Sequence, residues 1–247
     1  MTKPFNTKKP RFFVTASVPC PYLPGRRERK VFTGLDGHNA APLHDLLTHN
    51  GFRRSQTIAY RPSCDGCEAC VSARVPVERF AFTRRWRRVL TANADLSRAL
   101  KPAEATQEQY DLLRAYLRSR HGDGGMAEMG PGDFASMVGE TAVRTHVVEY
   151  RYTSGPDKGA LAAAALVDVL GGGLSLVYSW FDPRQPKRSL GIYTILDHIQ
   201  QARAAGFTHL YLGYWVPGSN KMDYKALFRP LELLLGGAWR TYEPVEF

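Results

Sequence analysis

The spacing of apolar residues changes character twice between positions 174 and 228, and the rest of the chain is read from that stretch. Residues 174–181 form a short apolar and aromatic run, Leu-Ser-Leu-Val-Tyr-Ser-Trp-Phe, which predicts a buried strand. Asp182-Pro183 ends it and a polar, basic loop follows at 185–188. Ser189 is placed to cap a helix whose apolar residues Ile192, Ile195, Leu196 and Ile199 keep the i, i+3, i+4, i+7 spacing. Arg203 and Gly206 mark its end, and 207–212 predicts the return strand. A strand–helix–strand crossover implies parallel neighbours, with a ligand mouth beyond their carboxyl ends. That mouth would carry Lys187, Arg188, Ser189 and Gly191 on one side and Gly213, Tyr214, Trp215 and Lys221 on the other, a basic and aromatic rim suited to an anionic or nucleotide-bearing ligand.

The segments at 143–152, 160–170 and 174–181, separated by Ser154-Gly155-Pro156-Asp157 and Gly171-Gly172-Gly173, predict an antiparallel meander. The Ala162–Ala165 run has helical propensity, but the flanking turns and the alternation after it favour a strand. Upstream, 92–102 reads as a linker, and Thr106 with Gln109 as a capping box opening a helix that carries Tyr110, Leu113, Tyr116 and Leu117 and ends near His121-Gly122. Asp123-Gly124-Gly125 reads as a turn, and Asp133 as the cap of a short helix over 134–139. Nearer the N-terminus, strands are predicted at 12–18 and 31–33 and a helix at 42–48. Segments 52–60 and 71–77 are expected to pair as a hairpin with the cysteines at its tip. The tail predicts a helix ending near 235 and a closing strand at 239–245. The expected class is α+β, with an N-terminal α/β region carrying the cysteines over 1–91 and a second domain over 103–247.

At 247 residues and 44% hydrophobic, the chain can bury a large core. No apolar run is long enough for a membrane span, and Lys3, Lys8 and Lys9 are followed by no apolar segment of a secretory signal; four cysteines, three within seven residues, favour a reducing cytosol, so a cytoplasmic location is expected. The net charge of +10 implies an anionic partner, nucleic acid above all. Between 53 and 88, nine arginines face Asp65, Glu68 and Glu78, without a lysine. Arginine pairs phosphates and carboxylates bidentately and stacks on rings, so the bias favours RNA or carboxylate recognition. Arg84-Arg85-Trp86-Arg87-Arg88 interleaves an aromatic with charge; it reads equally as a solvated helix face with Trp86 in the core. Cys64, Cys67 and Cys70, spaced by two residues, together with Cys20 make a candidate centre for zinc or an iron–sulfur cluster, against the plainer reading of reduced thiols packing a tip. Lys221-Met222-Asp223-Tyr224-Lys225 packs two cations, a carboxylate and a phenol into five residues.

Taken in order, Cys20-Pro21-Tyr22-Leu23, Gly51-Phe52-Arg53-Arg54-Ser55, Tyr60-Arg61-Pro62-Ser63-Cys64 with Cys67 and Cys70, Arg188-Ser189-Leu190-Gly191, Gly213-Tyr214-Trp215-Val216-Pro217-Gly218, Lys221–Lys225 and Phe228-Arg229-Pro230 resemble the arginyltransferase family of aminoacyl-tRNA–protein transferases, over nearly the whole chain. The compact length is similar to the bacterial aspartate/glutamate leucyltransferase branch. The resemblance implies a GNAT-like fold in the C-terminal half and transfer of leucine from leucyl-tRNA to an N-terminal Asp or Glu, marking the acceptor for degradation in the N-degron pathway. It implies charged tRNA and acidic-N-terminus proteins as partners, no cofactor for the transfer and no CoA, because the glycine-rich pyrophosphate loop is reduced to 188–191. On that reading Tyr178, Arg188, Tyr214, Lys221, Tyr224 and Lys225 would surround the acyl ester. Arg53, Arg54 or Arg188 would hold the acceptor's acid, and Arg26, Arg27, Arg84, Arg85, Trp86, Arg87, Arg88, Ser189 and Gly191 would hold the tRNA. An arginyl-tRNA-dependent transferase, an acyl-CoA N-acetyltransferase and a non-catalytic RNA-binding metalloprotein remain the alternative readings.

Overall fold

A computed structural model describes residues 9–120, 128–219 and 221–243, so the expected turn at Asp123–Gly125 and the end of the last expected strand lie outside the described residues. The strands are β1 (Phe13–Val14), β2 (Val18–Pro19), β3 (Arg27–Glu28), β4 (Lys30–Gly34), β5 (Arg53–Ser55), β6 (Ile58–Pro62), β7 (Val71–Pro76) and β8 (Leu96–Pro102). After them come β9 (Thr145–Tyr152), β10 (Leu161–Val169), β11 (Gly173–Phe181), β12 (His209–Trp215), β13 (Glu232–Leu235) and β14 (Ala238–Thr241). The helices are α1 (Ala40–His49), α2 (Arg84–Thr91), α3 (Gln107–Arg120), α4 (Pro131–Gly139) and α5 (Leu190–Ala204). A large sheet runs β14–β13–β7–β12–β11–β10–β9–β8, a small one runs β1–β4–β6–β5, and β2–β3 is a separate ribbon.

The meander of β9, β10 and β11 and the parallel crossover through α5 to β12 form as the apolar spacing predicts, and give the expected α+β arrangement. β10 is buried on both faces. Its Ala163, Ala165 and Val167 share a core with α5 and Trp86 of α2, and Ala164 and Leu166 share the opposite core with α3 and α4. Small side chains on a central strand let helices approach from both sides, and this packing overrides the helical propensity of the alanine run. The capping box forms: Gln109 N–H donates to Thr106 Oγ1 at 3.2 Å and Thr106 N–H to Gln109 Oε1 at 3.1 Å.

Four expectations are corrected. β6 pairs with β5 through a tight turn at Gln56, while β7 joins the large sheet, so the cysteine loop links two sheets and is not a hairpin tip. The expected linker contains β8, paired with β9 over seven residues. As a largely exposed edge strand it lacks a strong apolar alternation, and Lys101 and Pro102 protect that edge. Asp133 is the third residue of α4, not its cap, and accepts the Gly130 N–H at 2.9 Å. The expected helix before 235 is a 3-10 turn over Asp223–Leu227 followed by β13, because Pro230 has no N–H to continue a helix.

The N-terminal segment is fastened to the large sheet by a buried ion pair. Arg54 Nε and Nη2 donate to Asp168 Oδ2 and Oδ1 at 2.7 and 2.8 Å, and Thr145 Oγ1 and His44 Nε2 complete the carboxylate's shell at 2.8 and 3.1 Å.

Candidate active site

The parallel pairing of β11 with β12 lasts only from Gly173–Ser175 against His209–Tyr211; beyond it the strands fork. β12 bulges between Tyr211 and Gly213 as it turns to β7. The fork leaves carbonyls of both strands without ladder partners, and Arg53 of β5 fills it. Its Nη2 donates to Leu176 O at 2.8 Å and Val177 O at 2.9 Å, and its Nη1 donates to Leu212 O at 3.2 Å. One guanidinium therefore ties together the two prongs and replaces the ladder bonds lost there.

Four phenols gather around this wedge. Tyr178 is on β11, Tyr116 on α3, Tyr224 in the 3-10 turn and Tyr22 in the loop after β2. Burial, reinforced by Tyr116, Tyr22 and Tyr224, pushes the Tyr178 phenol well above its ordinary value. Burial and Tyr116 push Tyr224 up to about 12 although part of the residue is exposed, and burial and Tyr60 push Tyr22 up to about 12 against the opposing charge of Arg53. All are thus neutral O–H groups near pH 7. They can donate to a developing oxyanion or leaving oxygen, and none is a base. Behind them the Lys225 amine is buried and donates to Tyr214 O; burial, then the charge of Arg53, hold its pKa well below the usual range.

Tyr178 and Tyr224 share the neighbourhood of Arg53, whereas several other candidate residues stand elsewhere. Tyr214 is 6% exposed, and its hydroxyl lies 3.0 Å from both Gly51 O and Tyr60 O, so it braces the small sheet against β12. Arg188 pairs with Asp95, donates to Asn93 Oδ1 at 3.1 Å and covers the Tyr152 ring of β9. β9 stands three strands from β12, about 14 Å at some 4.8 Å per strand, so Arg188 and Tyr214 do not share the single mouth expected of them. Arg54 is committed to Asp168 and Arg53 to backbone carbonyls, which leaves neither to grip an acceptor acid. Ser189 adopts a left-handed φ of 53° with no side-chain cap bond, and Gly191 packs against Phe181. Lys221 is exposed. Trp86 is buried and stacks on Phe228 at 5.1 Å and 5°, whereas Arg84, Arg85, Arg87 and Arg88 are exposed. That stacking sets the basic face of α2 beside the turn bearing Tyr224.

The spacing pattern had placed Tyr116 only as a core position, and Tyr22 carried no signal beyond its place in the Cys20-Pro21-Tyr22-Leu23 run. The four cysteines are free and share one neighbourhood: burial, followed by Cys20, Cys64 and Cys67, pushes the Cys70 thiol up to about 11. Metal binding needs thiolates on one point. Among the described residues, no group of three or more His, Cys, Asp or Glu side chains is arranged to hold a metal ion, so the expected ligand set does not fit a metal as it stands. No helix among the described residues is long and apolar enough to cross a membrane.

A forked sheet lined by neutral donors, with a basic helix alongside, offers the groups that acyl transfer from an anionic carrier would use. Family models described as arginine-tRNA-protein transferase, N terminus and C terminus, match residues 18–88 and 108–235. The chain belongs to this family. It is 58% identical over 240 residues to the aspartate/glutamate leucyltransferase of Phenylobacterium zucineum (strain HLK1), covering 97% of this chain and 93% of that one. To the protein of the same name from Maricaulis maris (strain MCS10) it is 53% identical, covering 100% and 96%. The bacterial branch named by the sequence resemblance is the one these relatives stand in. Among solved structures the chain is similar to L-PGS from Bacillus licheniformis, with a TM-score of 0.45 and 13% identity over 76% of this chain and 52% of that one.

Proposed function

We propose that the protein transfers leucine from leucyl-tRNA to the α-amine of proteins beginning with Asp or Glu, at the β11–β12 fork, and so marks them for degradation. The observation that supports this most is the Arg53 wedge with its ring of neutral phenols, in a chain whose relatives bear the leucyltransferase name. The ester is already activated, and an α-amine with pKa near 7.7–8.0 is partly neutral at cellular pH, so positioning and oxyanion stabilisation dominate and the transfer draws on no cofactor. The amine nitrogen attacks the ester carbonyl, the C–O bond to the ribose breaks, and the ribose oxygen takes up a proton as the amine loses one. Tyr178 and Tyr224 act as neutral donors to the oxyanion or the departing oxygen. Lys225 and Tyr214 are positioning residues that fix the end of β12. Arg84, Arg85, Arg87 and Arg88 hold acceptor-stem phosphates. A zinc ion or iron–sulfur cluster at the cysteines would require Cys20, Cys64, Cys67 and Cys70 to close in from their present positions as thiolates, and the chemistry takes no step through it.

The test is incubation with leucyl- or arginyl-tRNA and peptides beginning with Asp, Glu, Lys or Ala, read by mass. Addition of one leucyl residue to the Asp and Glu peptides alone is expected. Arginyl addition in its place, or no addition from either tRNA, overturns the reading.

A further inference from the structure

A cavity of about 300 Å³ opens beside the cysteine loop, walled by Arg26, Arg27, Glu28, Arg29, Asp65 and neighbouring Ser17, Cys64 and Cys67. We infer that it receives the acidic first residue of the acceptor protein, its side-chain carboxylate on the guanidiniums of Arg26 and Arg29 and its amino end toward Glu28. This deepens the transfer reading above and rests on it.

The strongest observation is an orphan donor. Arg29 Nε–H is buried with no hydrogen-bond partner among the described residues, and the far end of the same guanidinium reaches only the highly exposed Asp65 at 3.7 Å. A buried N–H without an acceptor is costly, and a planar guanidinium short of acceptors, with its outer end exposed, is suited to a carboxylate. Arg26, exposed at the rim, makes no side-chain hydrogen bond or ion pair with any described residue. Arg27 holds Ser17 Oγ at 2.9 Å and Ser17 O at 2.5 Å, which fixes the ribbon that presents its two neighbours.

The sign pattern selects the ligand. A run of phosphates would meet the carboxylates of Glu28 and Asp65, whereas an N-terminal Asp or Glu carries both a carboxylate for the arginines and an amine for Glu28. Glu28 is largely buried, 2.9 Å from Lys30. Its charge reaches both Cys70 and Tyr22, and Tyr22 borders Arg53, Tyr178 and Tyr224. An amine seated against Glu28 would thus lie on the side of the cavity nearest Tyr22. The volume lies at the small end of ligand pockets, suited to one side chain more than to a nucleotide. Arg26 and Arg27, expected to grip tRNA, serve the acceptor on this assignment.

Steady-state leucyl transfer by the full chain to peptides beginning with Asp, Glu, Asn or Gln tests this with Arg26→Gln and Arg29→Gln. Each variant is expected to raise the KM for the Asp and Glu peptides about tenfold, as for loss of one charge-assisted hydrogen bond. The preference for Asp over Asn falls accordingly, while the KM for leucyl-tRNA stays at the wild-type value. An unchanged Asp-to-Asn preference overturns the inference. A rise in the KM for leucyl-tRNA alone also overturns it and gives the cavity to RNA. Arg26→Gln decides the matter if Arg29→Gln fails to fold, since Arg26 has no partner to lose. A wild-type protein that transfers leucine to no peptide overturns the transfer reading itself, which separates the two failures.

Discussion

The guanidinium of Arg53 stands where a side chain on Gly213 would begin: a Cβ built on Gly213 would lie 1.0 Å from Arg53 Nη1. Gly213 also holds a left-handed φ of 78°, so two independent constraints forbid a larger residue there. One partner comes from β5 of the small sheet and the other from β12 of the large one, and together they set the width of the fork.

Gly213→Ala should expel Arg53, unfasten the Leu176, Val177 and Leu212 carbonyls and abolish leucyl transfer. In an Arg53→Ala background the clash disappears and only the left-handed backbone penalty of roughly 1–2 kcal/mol remains. A double-mutant cycle by denaturant unfolding should therefore give a coupling energy of about 1–3 kcal/mol. Strict additivity would show that the wedge does not form.

Tyr178→Phe removes a neutral donor beside the fork and keeps the ring. Its kcat should drop on the order of 100-fold with little change in either KM. Tyr214→Phe should do the reverse. With its hydroxyl on the Gly51 and Tyr60 carbonyls, it should lose about 1–2 kcal/mol of stability and retain most of its kcat. Comparing single-turnover rates and melting curves of the two variants separates the roles.

Arg54→Met strands the Asp168 carboxylate in the core and should cost about 3–5 kcal/mol. Burial works to raise the pKa of Asp168, but its bonds to His44 and Arg54 outweigh burial and hold it below the ordinary carboxylate value. The folded protein thus binds fewer protons here than the unfolded chain. The pair's stability is complete above about pH 4 and is lost as pH falls through the folded pKa. Urea unfolding from pH 7 down to pH 3 should show this decline in the wild type and a shallower one in Arg54→Met.

Replacing Arg84, Arg85, Arg87 and Arg88 with Gln should leave the melting temperature nearly unchanged, since all four are exposed and the anchor of α2 is Trp86. Affinity for leucyl-tRNA should fall, and the slope of log K against log salt should flatten by about 0.7–0.9 for each phosphate contact removed. Filter binding at several salt concentrations measures it, and an unaltered slope would take the helix off the RNA path.

The crossover was legible because it depends on local regularities: Ile192, Ile195, Leu196 and Ile199 share a helix face, and Thr106 and Gln109 cap each other within four residues. β8 was not, because an edge strand with one half-covered face has no alternation to read. For the candidate site, the residue types could be read from the sequence, but their partners could not. Arg53 and Arg54 are adjacent in sequence, yet strand alternation sends one into the fork and the other to Asp168 on β10. Nothing local distinguishes them, since both partners lie more than a hundred positions away. Arg188 kept its expected place before α5, but the loop from Asp182 carries it across to Tyr152, a path that no spacing encodes. Tyr116 read as a core position because a phenol at helical spacing is indistinguishable from packing until the opposite wall is known.

β7 lies between β12 and β13, although it precedes both by more than 130 residues. Chain severed anywhere between the two family segments would leave the later piece with a gap in the middle of its sheet and the earlier piece with a lone strand seeking that gap. Neither fragment is a portable module. Two chains cut there should each be inactive alone and regain leucyl transfer on mixing, which a split-chain complementation assay reads, because only together do they rebuild the sheet and the wedge.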